Sequence, residues 1–127
     1  MRKLTRSPKK NTNLPKSTFR VKFAGVQEKV VFRCDVFLLE KIKNTLASQH
    51  LAGNYEYPNL SSFFRSALHA YQEGMPLTYQ REMNNPKKEV SFRITEELMT
   101  FYNSLPLSSK VDILERALGS YYFRIFG

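Results

Sequence analysis

The sequence predicts an α+β fold, mostly helical, in which a strand followed by two helices occurs twice in one chain. Two observations carry that expectation. The first is a near-repeat, VVFRCDVFL at 30–38 and VSFRITEEL at 90–98, offset by sixty residues. Each copy is an alternating apolar run, then a polar residue, then a segment with helical spacing. The second is that each copy leads into two apolar stripes at helical spacing with a break between them. Such a unit is unstable alone, because its strand has unpaired edges and its short helices expose an apolar face. Pairing two strands antiparallel and burying four stripes together solves both problems. The expected architecture is a two-stranded antiparallel β-ribbon backed by four helices.

Residues 1–17 are rich in Lys, Asn, Ser and Pro and read as a disordered basic arm. At 18–23, TFRVKF alternates, and Gly25 marks a turn, so 18–28 reads as an extra strand and turn. This segment either adds a third strand or helps to order the arm. The first unit spans 29–74. Val30, Phe32 and Cys34 share one strand face, and Lys29, Val31 and Arg33 share the other. Asp35 is placed to cap a helix with Leu38, Leu39, Ile42 and Leu46 as its stripe. SQHLAGNYEYP at 48–58 breaks that helix, and Pro58-Asn59 announces a second one over 60–73. Residues 75–87 read as a polar linker of about 13 residues, able to span up to roughly 45 Å. The second unit, 88–127, repeats the scheme: Val90, Phe92 and Ile94 inward, Glu89, Ser91 and Arg93 outward, and Thr95 at the cap. Ser109 and Asp112 have the spacing of a capping box, with Asp where Glu is usual.

Composition supports a small globular body and limits its chemistry. Apolar residues make up 42% of the chain, and ten Phe and seven Tyr supply much of the core area. No apolar run is long enough to span a bilayer, and no hydrophobic region succeeds the basic N-terminus, so neither a membrane span nor a secretory signal is expected. The single Cys34 excludes an intrachain disulfide and fits a reducing compartment. It reads as a buried small hydrophobe, since it matches Ile94 of the repeat. His50 and His69 have no partners at metal-ligand spacing. There is no Gly-rich phosphate loop and no nucleophile with an evident base, so the reading is not an enzyme, with no cofactor.

Charge is concentrated at one end. Residues 1–29 hold nine Lys/Arg and one acid (+8) and residues 30–127 are near neutral (+1), which together give the net +9. Arg2, Lys3, Arg6, Lys9, Lys10 and Lys16 form the arm, and such an arm meets nucleic acid or an anionic membrane unless it is a merely solubilising tail. Its SPKK at 7–10 resembles a histone-tail motif associated with AT-rich minor grooves, a short match.

Taken together, VVFRCDVFLLEKI with NLSSFFRSALHAY, and VSFRITEEL with SSKVDILERALGSYY, resemble the ribbon-helix-helix superfamily of MetJ/Arc-type DNA-binding proteins. The resemblance covers roughly 29–73 and 88–123. It implies an intramolecular pseudo-dimer, since the family ordinarily forms this fold by homodimerisation. It further implies that the outward strand residues contact bases: Lys29, Val31, Arg33, Glu89, Ser91 and Arg93. Arg pairs with guanine, Ser serves several bases, Val31 meets a thymine methyl, and Glu89 either accepts from cytosine or only repels phosphate. The start of each unit's second helix is implied to hold phosphate: Asn59, Leu60 and Ser61, then Ser109, Lys110 and Val111. The bland counterparts are solvent-facing strand residues and plain helix caps.

The expected function is sequence-specific double-stranded DNA binding, as a transcription repressor. A relaxosome or partition accessory of a mobile element such as a plasmid is the alternative. Lys-Val-Arg differs from Glu-Ser-Arg, so one chain should prefer a non-palindromic subsite, with further copies of the chain on tandem sites. The implied location is cytoplasmic and nucleoid-associated. Two other classes remain. One is an antitoxin-like protein-interaction module, with the 48–58 insertion as a partner surface, although the sequence ends on an aromatic helix instead of a disordered tail. The other is a nonspecific nucleoid or RNA-binding protein driven by the arm.

Overall fold

The computed structural model describes residues 26–127, and the basic arm and the TFRVKF segment lie outside the described residues. The fold is α+β and mostly helical. Strand β1 (Val26–Asp35) pairs antiparallel with β2 (Lys87–Thr95) in a two-stranded sheet. Each strand leads into two helices: α1 (Val36–Leu51) and α2 (Leu60–Gln72), then α3 (Glu96–Asn103) and α4 (Lys110–Phe126). Val26–Glu28, expected in a turn, belong to β1, with a register shift between Val26 and Glu28. No helix among the described residues is long and apolar enough to cross a membrane.

The strand alternation does what its period demands. Val30, Phe32, Cys34, Phe92 and Ile94 are buried against the helices. Phe64 of α2 stacks on Phe92 with ring centroids 4.4 Å apart, and Phe32 tilts against both rings at 5.9 Å. Full burial of such a side chain contributes about 1.5–3 kcal/mol. This trio ties the inner ribbon face to α2. The Cys34 thiol is wholly buried, as its match with Ile94 implies.

Both strand-to-helix junctions are capped as expected. Asp35 Oδ1 accepts from the amides of Phe37 (2.8 Å) and Leu38 (3.2 Å), and Thr95 Oγ1 accepts from Leu98 (3.2 Å). The expected capping box at Ser109 and Asp112 does not form. Pro106 initiates a 3-10 turn over Leu107–Ser109 that runs directly into α4, and Ser109 makes no side-chain cap. The Asp112 carboxylate faces Arg81 and Arg116 instead. A reciprocal capping box does occur at α2, between Asn59 and Ser62.

The 48–58 segment ends α1 as expected, after extending it by part of the segment. The helix continues to Leu51, and the chain turns at Gly53 with φ +87°. The loop then folds back. Tyr57 is buried against Phe63, its hydroxyl lies 2.7 Å from that of Tyr121, and its carbonyl is 2.9 Å from His50 Nε2. Burial and the Tyr121 hydrogen bond hold the Tyr57 phenol above its ordinary pKa.

The segment expected to be a plain linker is a docked strap. Ser120 Oγ, buried on α4, accepts from the amides of Thr78 and Tyr79 at 2.9 Å each. Arg116 donates to the carbonyls of Tyr79 (3.1 Å) and Leu77 (2.9 Å). Asn85 Nδ2 donates to Asp35 Oδ2 (2.8 Å), and Val36 donates to the Pro86 carbonyl (2.9 Å). The Tyr79 ring covers Gly119, where any added Cβ would strike it. Gly119→Ala must therefore displace Tyr79, at about 1–3 kcal/mol of overpacking. In urea titrations, Tyr79→Ala should remove most of that penalty in the double variant. Additive effects would mean that the strap does not depend on this contact.

Burial, then the Glu115 and Asp35 carboxylates, pushes the Cys34 thiol up from 9.0 to about 12. Burial and the same two carboxylates raise Tyr79 from 10.0 to about 12. Both groups hold protons more tightly folded than unfolded. Their stabilisation is complete below about pH 9 and is lost as pH rises towards 12. The urea midpoint should fall across that window, and native Cys34 should resist thiol reagents near neutral pH. A midpoint that rose through the window would contradict this.

Candidate nucleic-acid interface

The six outward strand residues form one face. Register places Lys29 opposite Arg93, Val31 opposite Ser91, and Arg33 opposite Glu89. All six are exposed, with Val31 at 49%. Val31 and Ser91 are also equivalent in the sequence repeat, sixty residues apart. Direct opposition of equivalent residues is what a twofold axis through the ribbon requires. Pairing in any other register would scatter the six residues along the strands or onto both faces.

The face carries three cations and one carboxylate. Among the described residues, the ion pairs gather on Asp112 and Glu115, and none involves Lys29, Arg33, Glu89 or Arg93. Arg33 makes one side-chain hydrogen bond, from Nη2 to the Lys87 carbonyl at 3.2 Å. Most donors of this face are therefore available to a ligand.

Two side chains join the second helices to the ribbon ends. Arg65 of α2 donates from Nη1 to the Arg93 carbonyl at 3.0 Å. Glu115 of α4 accepts from the Asp35 amide at 2.9 Å. With Asn59 matched to Ser109, Arg65 and Glu115 are equivalent positions, and each reaches the strand of the other unit. Glu115 is wholly buried and also receives Arg81 Nε and Lys87 Nζ (3.2 Å). Sequence reading missed it. The available signal was an acid inside the apolar stripe of Leu114 and Leu118, which calls for buried cationic partners.

The expected anion-holding helix starts are only partly alike. At α2, Asn59 is exposed and occupies the Ser62 amide, while the amides of Leu60 and Ser61 have no acceptor among the described residues. At α4, Ser109 already donates to the Pro106 carbonyl and Lys110 to the Leu107 carbonyl. The amides left open there are those of Leu107 and Ser108, about one turn earlier than expected. Lys110 Nζ lies over the Tyr102 ring at 4.4 Å, and Val111 is exposed.

Elsewhere, an open cavity of about 670 Å³ lies between the C-terminal ends of α2 and α4 and the start of the strap. Glu73, Met75, Ser120, Tyr121 and Arg124 are among its lining residues, which include no histidine or cysteine. No group of His, Cys, Asp or Glu side chains suited to a metal ion occurs among the described residues. Comparison with family models, curated proteins and solved structures gives no significant match.

Proposed function

We propose that the protein binds double-stranded DNA sequence-specifically, as an intramolecular ribbon-helix-helix pseudo-dimer acting as a transcription repressor. The observation that carries this reading is the opposition of Val31 and Ser91. It gathers Lys29, Val31, Arg33, Glu89, Ser91 and Arg93 into one exposed ribbon face with its own twofold. A two-stranded ribbon fits the major groove of B-DNA, where side chains can reach base edges. The starts of α2 and α4 offer open amides to phosphate, on helices that Arg65 and Glu115 tie to the ribbon. In the second unit that offer comes from Leu107 and Ser108, to which the Ser109 hydroxyl and the Lys110 ammonium add side-chain donors, whereas the aliphatic Val111 side chain adds none. The basic arm adds sequence-independent, salt-dependent affinity.

The test is selection of binding sites from random duplexes at near-physiological salt, with the full chain and with residues 1–17 deleted. A motif should emerge from both. The deletion removes six Lys/Arg and should flatten the log–log salt dependence by up to about 5, weakening all sequences alike. A flat preference in the full chain, abolished by the deletion, would assign binding to the arm alone and overturn ribbon recognition.

A further inference from the structure

The twofold of the ribbon is not matched by its side chains. We propose that Arg33 and Glu89 act together as one reader of a single G·C pair, so that the chain occupies its site in one orientation. This rests on the ribbon reading of duplex DNA above.

Arg33 and Glu89 are directly opposite in the register, and both are exposed. Side chains so placed on an antiparallel ribbon start about 4.5–5.5 Å apart. In the major groove, one G·C pair presents guanine O6 and N7 as acceptors beside the cytosine amino donor. A guanidinium next to a carboxylate is the complementary arrangement. Among the described residues the two groups form no ion pair with each other, so neither is consumed by its neighbour. The Lys87 carbonyl holds one end of the Arg33 guanidinium at 3.2 Å and leaves its other donors free.

The other end of the ribbon cannot do this. There the repeat-equivalent residues are Arg93 for Arg33 and Lys29 for Glu89, again directly opposed. Both carry donors only. They match guanine acceptors but cannot accept from a cytosine amino group. Reversing the chain on its site would set Glu89 against guanine acceptors and Lys29 against a cytosine amino donor, both mismatched. At the two outer positions the orientation is thus fixed by one residue, Glu89, whose carboxylate otherwise only repels the phosphates around it, while Val31 and Ser91 differ at the centre.

The test compares the full chain with Glu89→Gln and Glu89→Lys, by selection on duplexes short enough for one chain and by titration of the selected sites. Glu89 makes no side-chain hydrogen bond or ion pair among the described residues, so both variants should fold, which thermal melting checks. The unaltered chain should select an asymmetric subsite. Glu89→Gln should bind random duplex more tightly yet lose about 5- to 150-fold of discrimination at one base pair. Glu89→Lys should make the two outer positions of the site alike. If Glu89→Gln tightens all sequences equally, or if the unaltered chain selects a palindrome, Glu89 reads no base and the inference is overturned while ribbon recognition stands. If the unaltered chain selects no motif, the inference and the ribbon reading fall together.

Discussion

Glu115→Ala is expected to destabilise the protein by about 3–5 kcal/mol, the scale for removing one partner from a buried, hydrogen-bonded charge cluster. Its carboxylate is fully buried, whereas the Arg81 and Lys87 side chains keep 17% and 16% of their surface. Truncation leaves Lys87 without a carboxylate partner and Arg81 with only the longer contact to Asp112 (3.5 Å), and strips the acceptor from the Asp35 amide. Three segments lose their meeting point together: the end of β1, the strap and the start of β2. Glu115→Gln retains an acceptor for the amide and should cost less than the alanine variant. Urea unfolding of both checks the order. A Glu115→Ala midpoint equal to that of the unaltered chain would show that Arg81 and Lys87 reach water at no cost.

Glu115 also explains how a repeated unit becomes a chain with two distinct halves. Its equivalent is Arg65, which donates to the Arg93 carbonyl, while Glu115 accepts from the Asp35 amide. The contact between second helix and opposite strand is kept, but its polarity is reversed. The acid at 115 accommodates the strap that must pass over α4 on its way to β2, bringing Arg81 and Lys87 with it. An Arg at 115 would place three cations together in a buried site. The tether between the units and the break in their symmetry therefore share one physical cause.

What was legible in the sequence was local or periodic. Alternation gave the inner faces of both strands, because burial on one side imposes a period of two. Asp35 and Thr95 were legible as caps because a cap bonds amides two or three residues away. The repeat made antiparallel pairing of the two strands legible, while the register that sets Val31 opposite Ser91 came from the structure. What was not legible depended on distant partners. NNPKK and its neighbours read as a polar linker, but Arg116 and Ser120 supply donors and an acceptor for the strap backbone from about forty residues away. The 48–58 segment read as a break, yet Tyr57 has an aromatic pocket of Phe63, Tyr121 and Phe126. Ser109 had the right spacing for a cap and lost the role to the 3-10 turn that Pro106 starts. For the outward face, the sequence supplied residue types and the structure supplied their pairing, which makes Lys29 with Arg93 chemically unlike Arg33 with Glu89.

Arg33→Ala combined with Arg93→Ala is expected to reduce affinity for a selected site by about 2–6 kcal/mol, from about 1–3 for each lost arginine–guanine contact. Stability should change by no more than about 0.5 kcal/mol. The Arg33 side chain makes one exposed hydrogen bond, and the Arg93 side chain makes none among the described residues, since it is the Arg93 carbonyl that receives Arg65. Affinity for random duplex should fall far less, because two charges removed from a basic protein alter the salt slope by only about 2. Lys88→Ala is the control. Lys88 is exposed on the same strand but opposes Cys34, so its register is that of the inner face. Losing Lys88 removes charge without removing a residue from the outward face. If titrations on the selected site show Lys88→Ala costing as much per charge as the arginine pair, the ribbon contributes field and not readout. If only the arginine pair abolishes discrimination, the twofold ribbon is the reading head.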